Sequence, residues 1–247
     1  MPHNISAPPP EQYALSRPTY TPPGVLRSAL IIARKDIQVE LRTRSTIFSA
    51  LTFAVLALAI SFFAWDPTAV GPTDLAPGVL WVIFTFSGLL SLHRSFGGEQ
   101  PTRAADALIA APIEQEGVFL GKALANLVFI AAIQIVTVPA AALLYNVSMG
   151  PIALPLAAIV LAAAIGLVAV GTLFSAMAVT TRLAELLLPL LALPFFVPIV
   201  ICAAQATSKL LAGRPAADVN GYLRLLVTFD IVAVVVCTLT YPSLIEQ

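Results

Sequence analysis

The stretch His93–Asn126 reads HRSFGGEQPTRAADALIAAPIEQEGVFLGKALAN, and from about His93 to Lys122 it is a long polar interruption between apolar runs. Those runs are about 20 residues each, the length an α-helix needs to cross the hydrocarbon core of a bilayer. Only 11% of the chain is charged, 59% is hydrophobic and the mean hydropathy is +0.93. A soluble domain carries about 25% charged residues. The deficit fixes the fold class as an all-α polytopic membrane protein. The polar stretch, with its own helical pattern, then reads as a docking element on a membrane-embedded body.

Upstream, residues 1–24 are proline-rich (Pro2, Pro8, Pro9, Pro10, Pro18, Pro22, Pro23) and cannot bury a core, so a disordered tail is expected. They lack the apolar segment of a secretory signal, which leaves insertion to the first span. Val25 to Arg44 follows as a helix, with Leu26, Leu30, Ala33, Ile37 and Leu41 in one stripe. Arg27, Arg34, Lys35, Asp36, Gln38, Glu40 and Arg42 occupy the other positions, and Glu40 with Arg44 forms an i,i+4 pair. This is the pattern of an N-terminal amphipathic helix lying in the membrane interface.

Six transmembrane helices are expected at about 46–64, 75–92, 123–145, 152–179, 186–206 and 222–243, so residues 25–245 form one membrane domain. The connections 65–74 and 146–151 hold no Lys or Arg. Arg17, Arg27, Arg34, Lys35, Arg42, Arg44, Arg94, Arg103, Lys122 and Arg182 gather on the opposite side, against Lys209, Arg214 and Arg224. The positive-inside rule puts both termini in the cytoplasm. Trp65, Trp81, Tyr145 and Tyr222 then fall near the outer interface, where belt aromatics sit.

Within the spans, Ala162, Gly166 and Gly171 allow close helix approach. Pro189, Pro194 and Pro198 remove backbone donors from the fifth span and are hinge candidates, the alternative being a static kink. Asp230 lies about 12 Å past Tyr222 at 1.5 Å per residue, near the midplane. Gln134 lies at similar depth in the third span. A carboxylate there costs about 2.5–3.5 kcal/mol or more, so it must face protein or water. Two alternatives stand for this pair: a gate or relay, and an inter-helix hydrogen bond that fixes packing. Cys202 and Cys237 fall near opposite faces of the membrane, too far apart for a disulfide.

No G-x-x-x-x-G-K-[ST], H-E-x-x-H or C-x-x-C motif occurs, and no basic domain suits nucleic acid. The chain therefore reads as no enzyme and holds no metal or cofactor of its own. Inside the opening stretch, Pro101 suits a helix start, Thr102–Ala111 has helix-forming composition, and Pro112 ends it. Glu114, Gln115 and Glu116 then begin a second helix with carboxylates at its positive end. A short helix bounded by prolines just under the membrane can transmit a push.

The run from Asp106 through Pro112 to Gly121-Lys122 resembles the coupling-helix region of type-2 ABC permeases. Over about residues 30–245 the chain resembles the heme exporter protein B family, the CcmB-type permease of cytochrome c maturation. The matching pieces are Arg34-Lys-Asp36, Glu40-Leu-Arg-Thr-Arg44, Leu75-Ala-Pro-Gly-Val-Leu-Trp81, Arg94-Ser-Phe96, Leu108 to Pro112, Gly121-Lys122 and Leu188 to Pro198. Thr102-Arg-Ala-Ala-Asp106 departs from the glycine that the family often carries before its leucine run.

The resemblance implies a permease in a bacterial inner membrane. A cytoplasmic ABC ATPase subunit would bind ATP and push a cytoplasmic coupling helix through Arg103, Asp106, Leu108, Ile109 and Pro112. It further implies a heme-handling membrane subunit and a periplasmic heme chaperone as partners, heme as a substrate, and two copies of the chain per assembly. The work done would be heme export or release of the heme-loaded chaperone. Two alternatives are a general type-2 exporter of lipid, glycan or drug, and a scaffold that transports nothing.

Overall fold

A computed structural model describes residues 24–97, 114–179 and 184–245. Seven α-helices occupy them: α1 (Val25–Thr43), α2 (Ser45–Phe63), α3 (Pro72–Gly97), α4 (Gln115–Leu144), α5 (Ala153–Val179), α6 (Ala184–Leu211) and α7 (Asn220–Ile245). Single 3-10 turns, Gly150–Ile152 and Ala216–Val219, lead into α5 and α7. Among the described residues, six helices are long and apolar enough to cross a membrane, α2 through α7.

Side-chain size sorts in the direction that lipid demands. The buried faces are lined with alanine: Ala50 and Ala54 on α2, Ala125 and Ala141 on α4, Ala162, Ala163, Ala164 and Ala169 on α5, Ala192, Ala203 and Ala206 on α6. Large apolar residues face out, among them Phe63, Ile135, Leu143, Leu154 and Leu239. Hydrocarbon solvates leucine as well as a protein core does, so helices in a bilayer associate through close backbone approach and polar contacts.

The centre is held by α3 and α5. Helix α5 contacts α3, α4, α6 and α7, while α2 packs on α3 and α4 through Ala50, Ala54 and Leu58. Polar links tie the spans. Trp81 Nε1–H donates to Thr207 Oγ1 at 3.0 Å, Asn126 Nδ2–H to Thr172 Oγ1 at 3.0 Å, and Ser175 Oγ–H to the Leu92 carbonyl at 2.8 Å. Trp81 is therefore no belt residue: it is fully buried on α3, edge-on to Phe84. Tyr145 is buried as well, against the rings of Phe62 and Trp65. Trp81 turns inward on a helix that is mostly buried, and Tyr145 turns into the aromatic cluster at the end of α4. Cys202 and Cys237 are both free.

One expectation for α1 changes, the pairing of Glu40 with Arg44, and the structure adds which face packs. Leu26, Leu30 and Leu41 are exposed, and the face that packs is Ser28, Ala29, Ile32, Ala33 and Glu40. Glu40 does not serve as the surface partner of Arg44. Its Oε1 accepts the amide N–H groups of Thr46 at 2.7 Å and Ile47 at 2.9 Å, capping α2. A carboxylate on a helix N-terminus satisfies orphan donors and complements the helix dipole. Arg44 forms the elbow between the helices at φ 56°, a left-handed conformation that a side chain normally avoids. The cap helps offset that strain.

Candidate functional site: a clamp between α1 and α4

The first two turns of α4 read Gln-Glu-Gly117-Val-Phe-Leu-Gly121-Lys122, with both glycines on one helix face. Helix α1 lies directly on that face. A Cβ at Gly117 would stand 2.7 Å from Ser28 Cβ and 2.9 Å from the Val25 carbonyl oxygen. One at Gly121 would stand 2.6 Å from the Ala29 carbonyl oxygen and 2.8 Å from Ile32 Cβ. These are backbone-to-backbone contacts that only glycine permits.

The residue after the second glycine supplies the charge. Lys122 is fully buried, and its Nζ lies 3.4 Å from Asp36 Oδ2. Lys35 Nζ lies 2.9 Å from Asp36 Oδ1, so each carboxylate oxygen has its own ammonium. A buried ammonium is tolerated only when paired. The pair also fixes the register of α1 on α4, because a shift of one helical turn would strand Lys122.

The clamp reaches further into the bundle. Ile32, Val118 and Phe119 join Leu173 of α5 and Cys237 and Tyr241 of α7 in one apolar cluster, with the Phe119 and Tyr241 rings 5.5 Å apart. The end of α3 is held by a different device. Leu92 sits against Gly171, and its carbonyl accepts the Ser175 hydroxyl. Both helices that flank the segment between Gly97 and Glu114 are thus anchored, α3 to α5 and α4 to α1.

Arg103, Asp106, Leu108, Ile109 and Pro112, the expected coupling residues, lie outside the described residues, as does the coupling helix itself. The side chain of Pro189 also lies outside them. Helix α6 runs unbroken through Pro189, Pro194 and Pro198, and the latter two are exposed. Asp230 is 6% exposed and faces α5 at Gly166, where a Cβ would meet its Oδ1 at 2.6 Å. That Oδ1 has no hydrogen-bond partner, and neither has Nε2 of Gln134, which is 5% exposed on α4. Asp230 and Gln134 are both buried, but no hydrogen bond joins those two atoms. Among the described residues no three His, Cys, Asp or Glu side chains cluster as metal ligands.

The sequence reading missed the Gly117–Gly121 pair and the Asp36–Lys122 bond. The signals were present: a G-x-x-x-G spacing at the head of a span, and an acid and a lysine each inside a family-like piece. Their pairing across 86 residues was not visible without the fold.

Six apolar helices with small-residue interfaces, and a seventh polar helix clamped at one end, define a multi-pass all-α membrane protein. The family model described as CcmB protein matches residues 27–247. The heme exporter protein B of Paracoccus denitrificans is 32% identical over 185 residues, covering 75% of this chain and 84% of that protein. Those of Bradyrhizobium diazoefficiens and Rhodobacter capsulatus are each 30% identical, covering 75% and 71% of this chain and 82% and 80% of theirs. The chain belongs to the CcmB family.

Proposed function

We propose that this chain is the permease subunit of an ABC transporter complex for cytochrome c-type biogenesis, in a bacterial plasma membrane. A separate cytoplasmic subunit hydrolyses ATP, and the chain couples that hydrolysis to heme export or to release of a heme-loaded periplasmic chaperone. The relatives named heme exporter protein B support the substrate class. The observation that carries the coupling is the anchoring of both flanks of the 98–113 segment. A lever whose two ends are held passes its motion to the helices rather than to slack chain. The push enters through Arg103, Asp106, Leu108, Ile109 and Pro112. Helix α4 carries it into the bundle, and α6, weakened at Pro189, Pro194 and Pro198, yields to it. The heme-handling membrane subunit completes the assembly, and both termini lie in the cytoplasm.

Two copies form the membrane core. What supports this is the outward face of α6, where Pro194, Pro198 and Gln205 are all exposed. Each proline leaves a backbone carbonyl one turn earlier without its donor. Such groups, and a side-chain amide, call for protein or water rather than hydrocarbon.

The test is co-purification. Leu108→Asp with Ile109→Asp is expected to abolish retention of the ATPase subunit while the permease still inserts in the membrane. Undiminished retention would refute the coupling role.

A further inference from the structure

Helix α1 carries four basic and two acidic residues, so in sequence its charge is mixed. The fold unmixes it. Asp36 is held between Lys35 and Lys122, and Glu40 is folded under the N-terminus of α2. Both carboxylates are consumed by the protein. Arg27, Arg34 and Arg42 remain on the outer side, all exposed, with no acidic partner among the described residues.

Beside these arginines runs the exposed stripe of Leu26, Leu30 and Leu41, at 77%, 63% and 59% exposure. At 3.6 residues per turn the two stripes are adjacent around the helix, and the packed face takes the remaining side. The one-residue elbow at Arg44 sets the depth of α1, because the lipid-facing residues of α2 begin just beyond it with Phe48. The leucine stripe is therefore continuous with a surface that hydrocarbon covers, and the arginines border it at headgroup level.

We propose that the outer face of α1 is a binding surface for anionic phospholipid headgroups of the adjoining leaflet. The leucines enter the acyl boundary and Arg27, Arg34 and Arg42 hold the phosphates. The charge complementarity is specific to the folded state. If Asp36 and Glu40 faced outward, they would offset two of the three arginine charges on that face. Attraction of juxtamembrane basic residues to anionic leaflets is general and is screened by salt.

The experiment uses the full chain in nanodiscs of phosphatidylcholine alone or with added phosphatidylglycerol, and reads the melting temperature. The wild-type chain is expected to melt higher in the anionic discs, with the difference shrinking at high salt. Arg27→Gln with Arg34→Gln and Arg42→Gln should lose most of that shift. The matching triple lysine variant should keep it, since charge rather than guanidinium geometry provides the attraction. A glutamine triple variant that melts as the wild type in plain phosphatidylcholine establishes that folding is intact. Should it melt lower there, the phosphatidylglycerol share of lipid co-purified with the inserted protein gives the readout, again falling for glutamine and not for lysine. The proposal is overturned by an equal anionic shift in wild type and glutamine variant. It is overturned equally if the shift vanishes in Arg214→Gln with Arg224→Gln, at the opposite end. Loss of ATPase retention with the lipid dependence intact would assign the face to a protein partner and also overturn it.

Discussion

Two carboxylates, Asp36 partly buried and Asp230 buried, lie against glycine-bearing helices, and their surroundings are opposite. Asp36 meets α4 where Gly117 and Gly121 bring backbones into contact, and both of its oxygens face ammonium groups. Asp230 meets α5 at Gly166, deep in the spans, and its Oδ1 has no hydrogen bond. The same device, a glycine that lets helices close, serves a satisfied ion pair in one place and an acid with one unpartnered oxygen in the other. Near the membrane edge the clamp spends polar groups on rigidity. In the middle, an acid is buried at 6% exposure with its Oδ1 unpartnered.

The comparison breaks most visibly at the clamp. Lys122→Met leaves Asp36 with half of its compensation; removing one partner of a fully buried pair costs about 3–5 kcal/mol, and less is expected here because the Asp36 side chain is 16% exposed and keeps Lys35. Gly121→Val drives a side chain into the Ala29 carbonyl, which is backbone and cannot yield. Both variants are expected to lower the melting temperature strongly and to expose α1 to protease. Exchanging the charges, Asp36→Lys with Lys122→Asp, should recover part of the loss. A Lys122→Met protein as stable as wild type would remove the distinction drawn between the two sites.

The effect at the second site is smaller. Gly166→Ala places a methyl group 2.6 Å from Asp230 Oδ1 and 3.1 Å from Ile199 Cδ1, an overpacking that costs about 1–3 kcal/mol. Asp230→Ala in the same chain should relieve it, since the near atom belongs to a side chain. Asp230→Asn alone should leave the melting temperature nearly unchanged, because Oδ1 has no hydrogen bond to lose. A large destabilisation by Asp230→Asn would show that the acid holds the bundle together after all.

A third carboxylate, in water, calibrates both. Asp66 lies in the turn between α2 and α3, and its Oδ1 accepts the amide of Thr68 at 2.9 Å and its hydroxyl at 2.7 Å. The Thr68 bonds, hydroxyl first, hold its carboxyl below the ordinary value of 3.8. A depressed value means the turn is supported above that ordinary value and loses the support as pH falls through the lowered one. Trp65 Nε1–H donates to the Val70 carbonyl across the same turn. In a Trp81→Phe background, Trp65 fluorescence should hold constant from neutral pH to about 4 and change only below it. Asp66→Asn should remove that acid transition while hardly altering the melting temperature.

The spans were legible because hydrocarbon thickness imposes a length and composition that a linear chain must display. The amphipathic character of α1 was legible for the same reason. Which of its faces packs was not, since a leucine stripe marks the core in water and the lipid side in a bilayer. Trp81 misled in a related way. An aromatic near a span end reads as a belt residue, yet Thr207 on another helix gives its N–H a partner inside. Glu40 was visible as a charge and took its role only from the elbow at Arg44, which brings the start of α2 back over it.

Sequence alone determined that this chain is a membrane-embedded helical protein with a polar segment between its second and third spans. Those properties follow from local composition summed over windows of about 20 residues. Tertiary structure decided which polar residues are partnered. Asp36 finds Lys122, Glu40 finds the amides of Thr46 and Ile47, and Asp230 Oδ1 finds no hydrogen bond. Partnership depends on which helices touch and in what register. Glycine and alanine settle that through contacts that no single segment contains.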